Sequence, residues 1–90
     1  MGENRWQVII HRKAEKTLKR LRGEMLERTR QAIRSLKENP RPVGYKKIIG
    51  YDNFYRIRIG DWRIIYAIDD DKLIVLVLEI APRGGIYRNY

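Results

Sequence analysis

With 90 residues and no cysteine, the chain has material for one hydrophobic core, held by packing and not by disulfides or thiolate–metal bonds, which fits a cytosolic protein. A formal net charge of +9 makes a compact domain repel itself, so an anionic partner, nucleic acid or an acidic protein, is expected. The longest apolar run, Leu73 to Ala81, is interrupted by Glu79 and is too short to cross a bilayer, and no apolar leader precedes Arg12.

Trp6, Val8 and Ile10 alternate with Gln7 and Ile9 and predict a short strand from Arg5 to His11. From Lys13 the period becomes helical. Ala14, Leu18 and Leu21 recur among Glu15, Lys16, Lys19 and Arg20, predicting a short amphipathic helix that ends at Gly23. A second helix follows at once on the stripe Met25, Thr29, Ala32, Ile33 and Leu36 and stops at Asn39-Pro40, because the residue before a proline is pushed out of helical geometry. Arg41 to Tyr45 reads as a loop. Beyond it a two-residue period predicts strands at Lys46 to Ile49, Phe54 to Ile59, Trp62 to Ile68 and Lys72 to Ile80, joined by short turns. Short turns make these strands antiparallel, so the helices should cover one sheet face and leave the other free. The expected fold is α+β: an N-terminal strand and a two-helix hairpin packed on one face of a mainly antiparallel four-stranded sheet, one domain over residues 1–90. The tail, Pro82 to Tyr90, reads as irregular.

The alternation in Tyr55-Arg56-Ile57-Arg58-Ile59 sends the apolar side chains to the helix side and Arg56 and Arg58 to the open side. Trp62, Ile64, Tyr66 and Ile68 form the matching core set of the next strand, which places Arg63 beside the other two. Arg83 follows the last strand, and Tyr87 lies close behind it. Each arginine alone reads as a solvated sheet face or a charge-protected edge. As a set they read differently, because neighbouring like charges repel and the only acid between Phe54 and Arg63 is Asp61, in a turn.

Other residues point away from alternative chemistries. His11 is the only histidine and reads as a surface residue, which excludes a paired-histidine acid–base mechanism. Asp69, Asp70 and Asp71 read as a polar hairpin turn and not as a metal site, and neither metal nor cofactor is expected. Alternation with Val75 and Val77 places Glu79 on the open face, paired with an arginine. Gly84-Gly85 precedes a tail and not a helix, so it is no phosphate loop.

The stretch Lys47-Ile48-Ile49-Gly50-Tyr51-Asp52-Asn53-Phe54-Tyr55-Arg56-Ile57-Arg58-Ile59-Gly60-Asp61-Trp62-Arg63-Ile64-Ile65-Tyr66 resembles the recurring core pattern of the RelE branch of the RelE/ParE toxin superfamily. Ala81-Pro82-Arg83-Gly84-Gly85-Ile86-Tyr87-Arg88 is similar to that family's closing segment, and the resemblance runs from Trp6 to Tyr87. It implies the toxin of a type II toxin–antitoxin pair, a metal-independent endoribonuclease cutting mRNA in the ribosomal A site. Carried over to this sequence, it implies Arg56, Arg58, Arg63, Arg83 and Tyr87 as catalytic residues and Lys46, Lys47 and Arg88 as RNA-binding ones. It further implies an acidic RelB-like antitoxin, with operator DNA reached only through the antitoxin complex. Four positions depart from the pattern: Pro82 replaces a common histidine, Gly84-Gly85 a common arginine-aspartate, and Ile49 a common basic residue.

Metal-free cleavage requires the 2′-hydroxyl to attack its own phosphate. Arginines stabilise the added charge but stay protonated, so Tyr87 is the expected general base and Lys47 the second candidate. Two competing functions share the fold: a ParE-like inhibitor of DNA gyrase that cleaves nothing, and an inactive nucleic-acid-binding relative.

Overall fold

The computed structural model describes residues 6–82. In chain order the elements are β1 (Gln7–Ile10), α1 (Arg12–Arg20), α2 (Gly23–Leu36), β2 (Lys46–Lys47), β3 (Phe54–Ile59), β4 (Trp62–Asp69) and β5 (Ile74–Pro82). They form one five-stranded sheet of order β1-β5-β4-β3-β2. The meander from β2 to β5 is antiparallel, as expected, whereas β1 joins it as a fifth strand, parallel to β5 from Gln7↔Ile74 to Ile10↔Val77. A parallel neighbour requires a long crossover, and the helices with the first three meander strands supply it.

The two helices differ from expectation at their junction. His11 opens α1 as its N-cap, its Nδ1 accepting from the Lys13 N–H at 3.1 Å. The helix ends at Arg20, three residues before Gly23, because Leu21 turns extended and is buried in the core. Arg22 donates from one guanidinium nitrogen to the carbonyls of Lys19 and Leu21, at 3.0 Å each, satisfying acceptors the helix end leaves open. Gly23, at φ 61, opens α2 and does not close α1. On α2, Thr29, Ile33 and Leu36 are buried, and Thr29 Oγ1 donates to the Met25 carbonyl at 2.7 Å.

The main core lies between the helices and the sheet, built from Ala14, Ile33, Leu36, Ile57, Ile59, Ile64, Tyr66, Ile68, Val75, Val77 and Ile80. Val75 and Val77 therefore face the helices and do not line the open face. A β-bulge between Ile65 and Tyr66 of β4, opposite Leu78, resets the alternation: Tyr66 pairs with Val77 but Ile65 with Glu79. The other face is not left free either. Ile48 and Ile65 are buried there, with Phe54, Leu78 and Ala81 packed against them.

The segment after α2 is fixed to the β4–β5 turn. Tyr66 donates its hydroxyl to the Pro40 carbonyl at 2.7 Å, and Arg41 grips Asp70 with two hydrogen bonds of 3.1 and 2.9 Å. Arg41 also lies over the Tyr55 ring, 5.5 Å from its centroid. In the turn itself, Asp69 accepts from the N–H groups of Asp71 and Lys72 at 3.1 Å, the polar hairpin read from the sequence.

Candidate nucleic-acid interface

Strand register decides which cations meet. Arg58 stands directly opposite Arg63, and Lys46 directly opposite Arg56. Paired residues share a face, so β2, β3 and β4 bring Lys46, Arg56, Arg58 and Arg63 onto the side away from the helices. Lys47 pairs with Tyr55, which belongs to the helix-side core, so its register places it on the opposite face from Arg56. Like charges directly opposite each other destabilise a sheet, and here two such pairs occur in succession.

Their surroundings differ. Arg58 is exposed, Arg56 half-buried and Arg63 buried at 7% exposure. The Nε and Nη1 groups of Arg63 have no hydrogen-bond partner among the described residues, although a buried unsatisfied donor costs about 1–3 kcal/mol and more when charged. The floor beneath the cations is the second apolar cluster, Ile48, Ile65, Phe54, Leu78 and Ala81. Tyr51 stacks on Phe54 at 5.2 Å with a 7° interplanar angle, placing an aromatic pair beside Arg56. The sequence signal for this floor is Ile64-Ile65-Tyr66-Ala67-Ile68, five consecutive apolar residues in β4, which marks burial on both faces.

Glu79 is buried, but its partner is Lys13 of α1, with Nζ 3.4 Å from Oε2, and not an arginine. Its Oε1 has no hydrogen-bond partner among the described residues. His11 is exposed and occupied in capping α1, far along the chain from the arginines. The tyrosines of the described core serve structure. Burial pushes the Tyr66 phenol well above the ordinary tyrosine range, which suits a hydroxyl that donates to Pro40 and rules it out as a base. The hydrogen bond from Arg41 holds the Asp70 carboxyl below the usual range. Arg83, Tyr87 and Arg88 lie outside the described residues. Among the described residues no group of three or more potential ligands could hold a metal ion, and no helix is long and apolar enough to cross a membrane.

Fold and face define a small α+β protein that presents a row of guanidiniums on an apolar floor. The sequence model of the ParE toxin family, of the parDE type II toxin–antitoxin system, matches residues 8–87. The putative toxin RelE1 of Methanocaldococcus jannaschii is 35% identical over 88 residues, covering 94% of this chain and 98% of that protein. Toxin RelE3 of the same organism is 32% identical over 85 residues, covering 90% and 94%. The fold is similar to that in the archaeal RelE–RelB complex from Pyrococcus horikoshii, with a TM-score of 0.78 at 28% identity over 89% of this chain and 97% of that one. The RelB–RelE complex from Methanococcus jannaschii gives 0.70 at 27% identity over 91% and 98%. The chain belongs to the RelE family of type II toxin–antitoxin toxins.

Proposed function

We propose that this toxin is a metal-independent endoribonuclease that cuts mRNA in the ribosomal A site, restrained by an acidic RelB-like antitoxin. The observation that carries the reading is Arg63, a buried guanidinium with two N–H groups lacking acceptors among the described residues, directly opposite Arg58 on a face where like charges accumulate. Such an arrangement is stabilised by an anion that enters it, and a phosphate gaining negative charge during transesterification is stabilised most. In this mechanism the 2′-oxygen attacks the adjacent phosphorus, the bond to the 5′-oxygen breaks, and the products are a 2′,3′-cyclic phosphate and a 5′-hydroxyl. Arg56, Arg58, Arg63 and Arg83 hold the phosphate and neutralise the added charge. Tyr87 takes the 2′-hydroxyl proton, solvent water protonates the departing 5′-oxygen, and Lys46 and Arg88 hold the flanking strand. Lys47, whose register directs it to the Tyr55 side, is the weaker candidate of the set. The net charge of +9 and the solved RelE–RelB complexes of relatives support an acidic antitoxin segment as the partner, with operator DNA contacted only through that complex.

Single-turnover cleavage of a message on programmed ribosomes, read by primer extension, tests this. Cleavage is expected with and without chelator, Arg83→Ala should lose most of it, and Tyr87→Phe should lose roughly 10²–10⁴ of rate. Full activity in both variants would remove the mechanism. A second reading is favoured by the ParE family match itself: a toxin that inhibits DNA gyrase and cleaves nothing. Inhibition of gyrase supercoiling by the purified chain, with intact message on ribosomes, would establish it instead.

A further inference from the structure

We propose that Lys13 is a positioning residue for the arginine face: by holding Glu79 it keeps a buried carboxylate off Arg63 and leaves that guanidinium free for phosphate. In the β4–β5 register Arg63 stands opposite Ala81 and Ile65 opposite Glu79, so Arg63 and Glu79 are diagonal neighbours on one face of the sheet. Diagonal neighbours lie roughly 7–8 Å apart, a gap that long side chains span. Both residues are buried, and Ile65 and Ala81 beside them belong to the apolar floor. Their unmet needs are complementary: among the described residues, Nε and Nη1 of Arg63 lack an acceptor and Oε1 of Glu79 lacks a donor. Opposite charges attract more strongly in such a setting than in water, so a direct Arg63–Glu79 pair is what these two residues alone favour.

The fold diverts Glu79 from that pair. The His11 N–H donates to the Val77 carbonyl at 2.8 Å where the β1–β5 pairing closes, and beyond it the first turn of α1, which carries Lys13, follows β5 in place of β1. The bulge opposite Ile65 falls between Val77 and Glu79, and bulges re-aim the side chains next to them. Oε2 of Glu79 thereby comes to 3.4 Å from Lys13 Nζ. A charge-assisted hydrogen bond is usually shorter, about 2.7–2.9 Å. The Lys13 side chain is also 52% exposed, so its hold is light and is lost with its charge. Arg20 lines the same crevice as Glu79 but is exposed, whereas Arg63 is buried with donors unmet and takes the carboxylate when Lys13 is removed.

A carboxylate on Arg63 competes with the phosphate for the guanidinium, most of all as that phosphate gains charge in the transition state. The loss therefore falls on the maximal rate more than on binding. This role rests on the proposal that the arginine face cleaves RNA, but the pairing behind it is read separately.

The experiment follows Lys13→Ala, Glu79→Gln, the double variant Lys13→Ala/Glu79→Gln and the charge-keeping Lys13→Arg in the full chain. Single-turnover cleavage on programmed ribosomes gives a maximal rate and a half-saturating toxin concentration. The Nε–H resonance of Arg63, assigned by its loss in Arg63→Leu, reports the pairing. Lys13→Ala should lower the maximal rate about tenfold or more with the half-saturating concentration changed less than about threefold, and should move Nε–H downfield with slower exchange. Lys13→Arg and Glu79→Gln should cleave within about threefold of the parent, and the double variant should return to that range with Nε–H at its parental position. Lys13→Met, which keeps the aliphatic stem, gives the same readouts should Lys13→Ala not fold. A rate that Lys13→Ala leaves unchanged overturns the proposal. So does an Nε–H that stays in place, or a loss that Glu79→Gln does not rescue, the signature of a lysine that touches RNA itself. If the parent cleaves nothing while Nε–H moves in Lys13→Ala and returns in the double variant, the nuclease reading falls and the Lys13–Glu79–Arg63 coupling stands. Cleavage by the parent with rate and Nε–H both unmoved in Lys13→Ala gives the opposite result.

Discussion

Arg63 is held in a place that its own chemistry opposes: it is buried, opposite another arginine, with two donors that no described residue satisfies. Replacing such a group with an apolar side chain removes a desolvation cost, so Arg63→Leu should leave stability unchanged or raise it by about 1 kcal/mol while abolishing cleavage. Chemical denaturation beside a ribosomal cleavage assay separates the two effects. The adjoining strand gives the converse. Ile57→Ala empties a core position and should destabilise by about 2–4 kcal/mol, whereas Arg58→Ala should reduce cleavage with little change in melting. Tyr66→Phe leaves the Pro40 carbonyl without its donor and should cost about 1–2 kcal/mol. It should also change the alkaline limb. The folded-state pKa of Tyr66 lies above the unfolded value of about 10, so the neutral phenol's contribution is whole below pH 10 and lost as pH rises towards the folded value. The stability difference between wild type and Tyr66→Phe should therefore shrink above about pH 10, measured by denaturation at fixed ionic strength.

At the scale of elements, β5 shows what a sequence discloses and what it withholds. The face of β3 was legible because Tyr55, Ile57 and Ile59 alternate with Arg56 and Arg58, and that of β4 because Trp62, Ile64, Tyr66 and Ile68 keep the same period with Arg63 between the first two. In β5 the alternation runs through a bulge that no residue announces, so the two-residue period misplaces Val75 and Val77 on the open face and pairs Glu79 with an arginine where the structure has Lys13. The parallel pairing of β1 was also hidden, since periodicity reveals a strand but not its neighbour. The Glu79 carboxylate, buried at the bulge, depends on one lysine from α1. Lys13→Ala should lower stability by about 1–2 kcal/mol, discounted from the usual cost of breaking a buried pair because Lys13 is itself half exposed. Glu79→Gln in the same background should restore much of that loss, and a double-mutant cycle measures the coupling.

For the whole molecule, the charge of +9 that signalled an anionic partner also strains the free protein. Raising ionic strength should increase the melting temperature of the isolated toxin, sulfate should do so more than chloride at equal ionic strength, and the increment should shrink in the complex with an acidic antitoxin. A melting temperature indifferent to salt would show that the cations are too widely spaced to repel.

The pairing of Gln7–Ile10 with Ile74–Val77 carries a consequence for how the toxin comes into being. Contacts between such distant parts of the chain close a large loop and form late, so the sheet gains its first strand last. During synthesis at about 5–20 residues per second, the partner of β1 does not exist until most of the polypeptide has been made. The nascent toxin is thus structurally incomplete for most of its own translation.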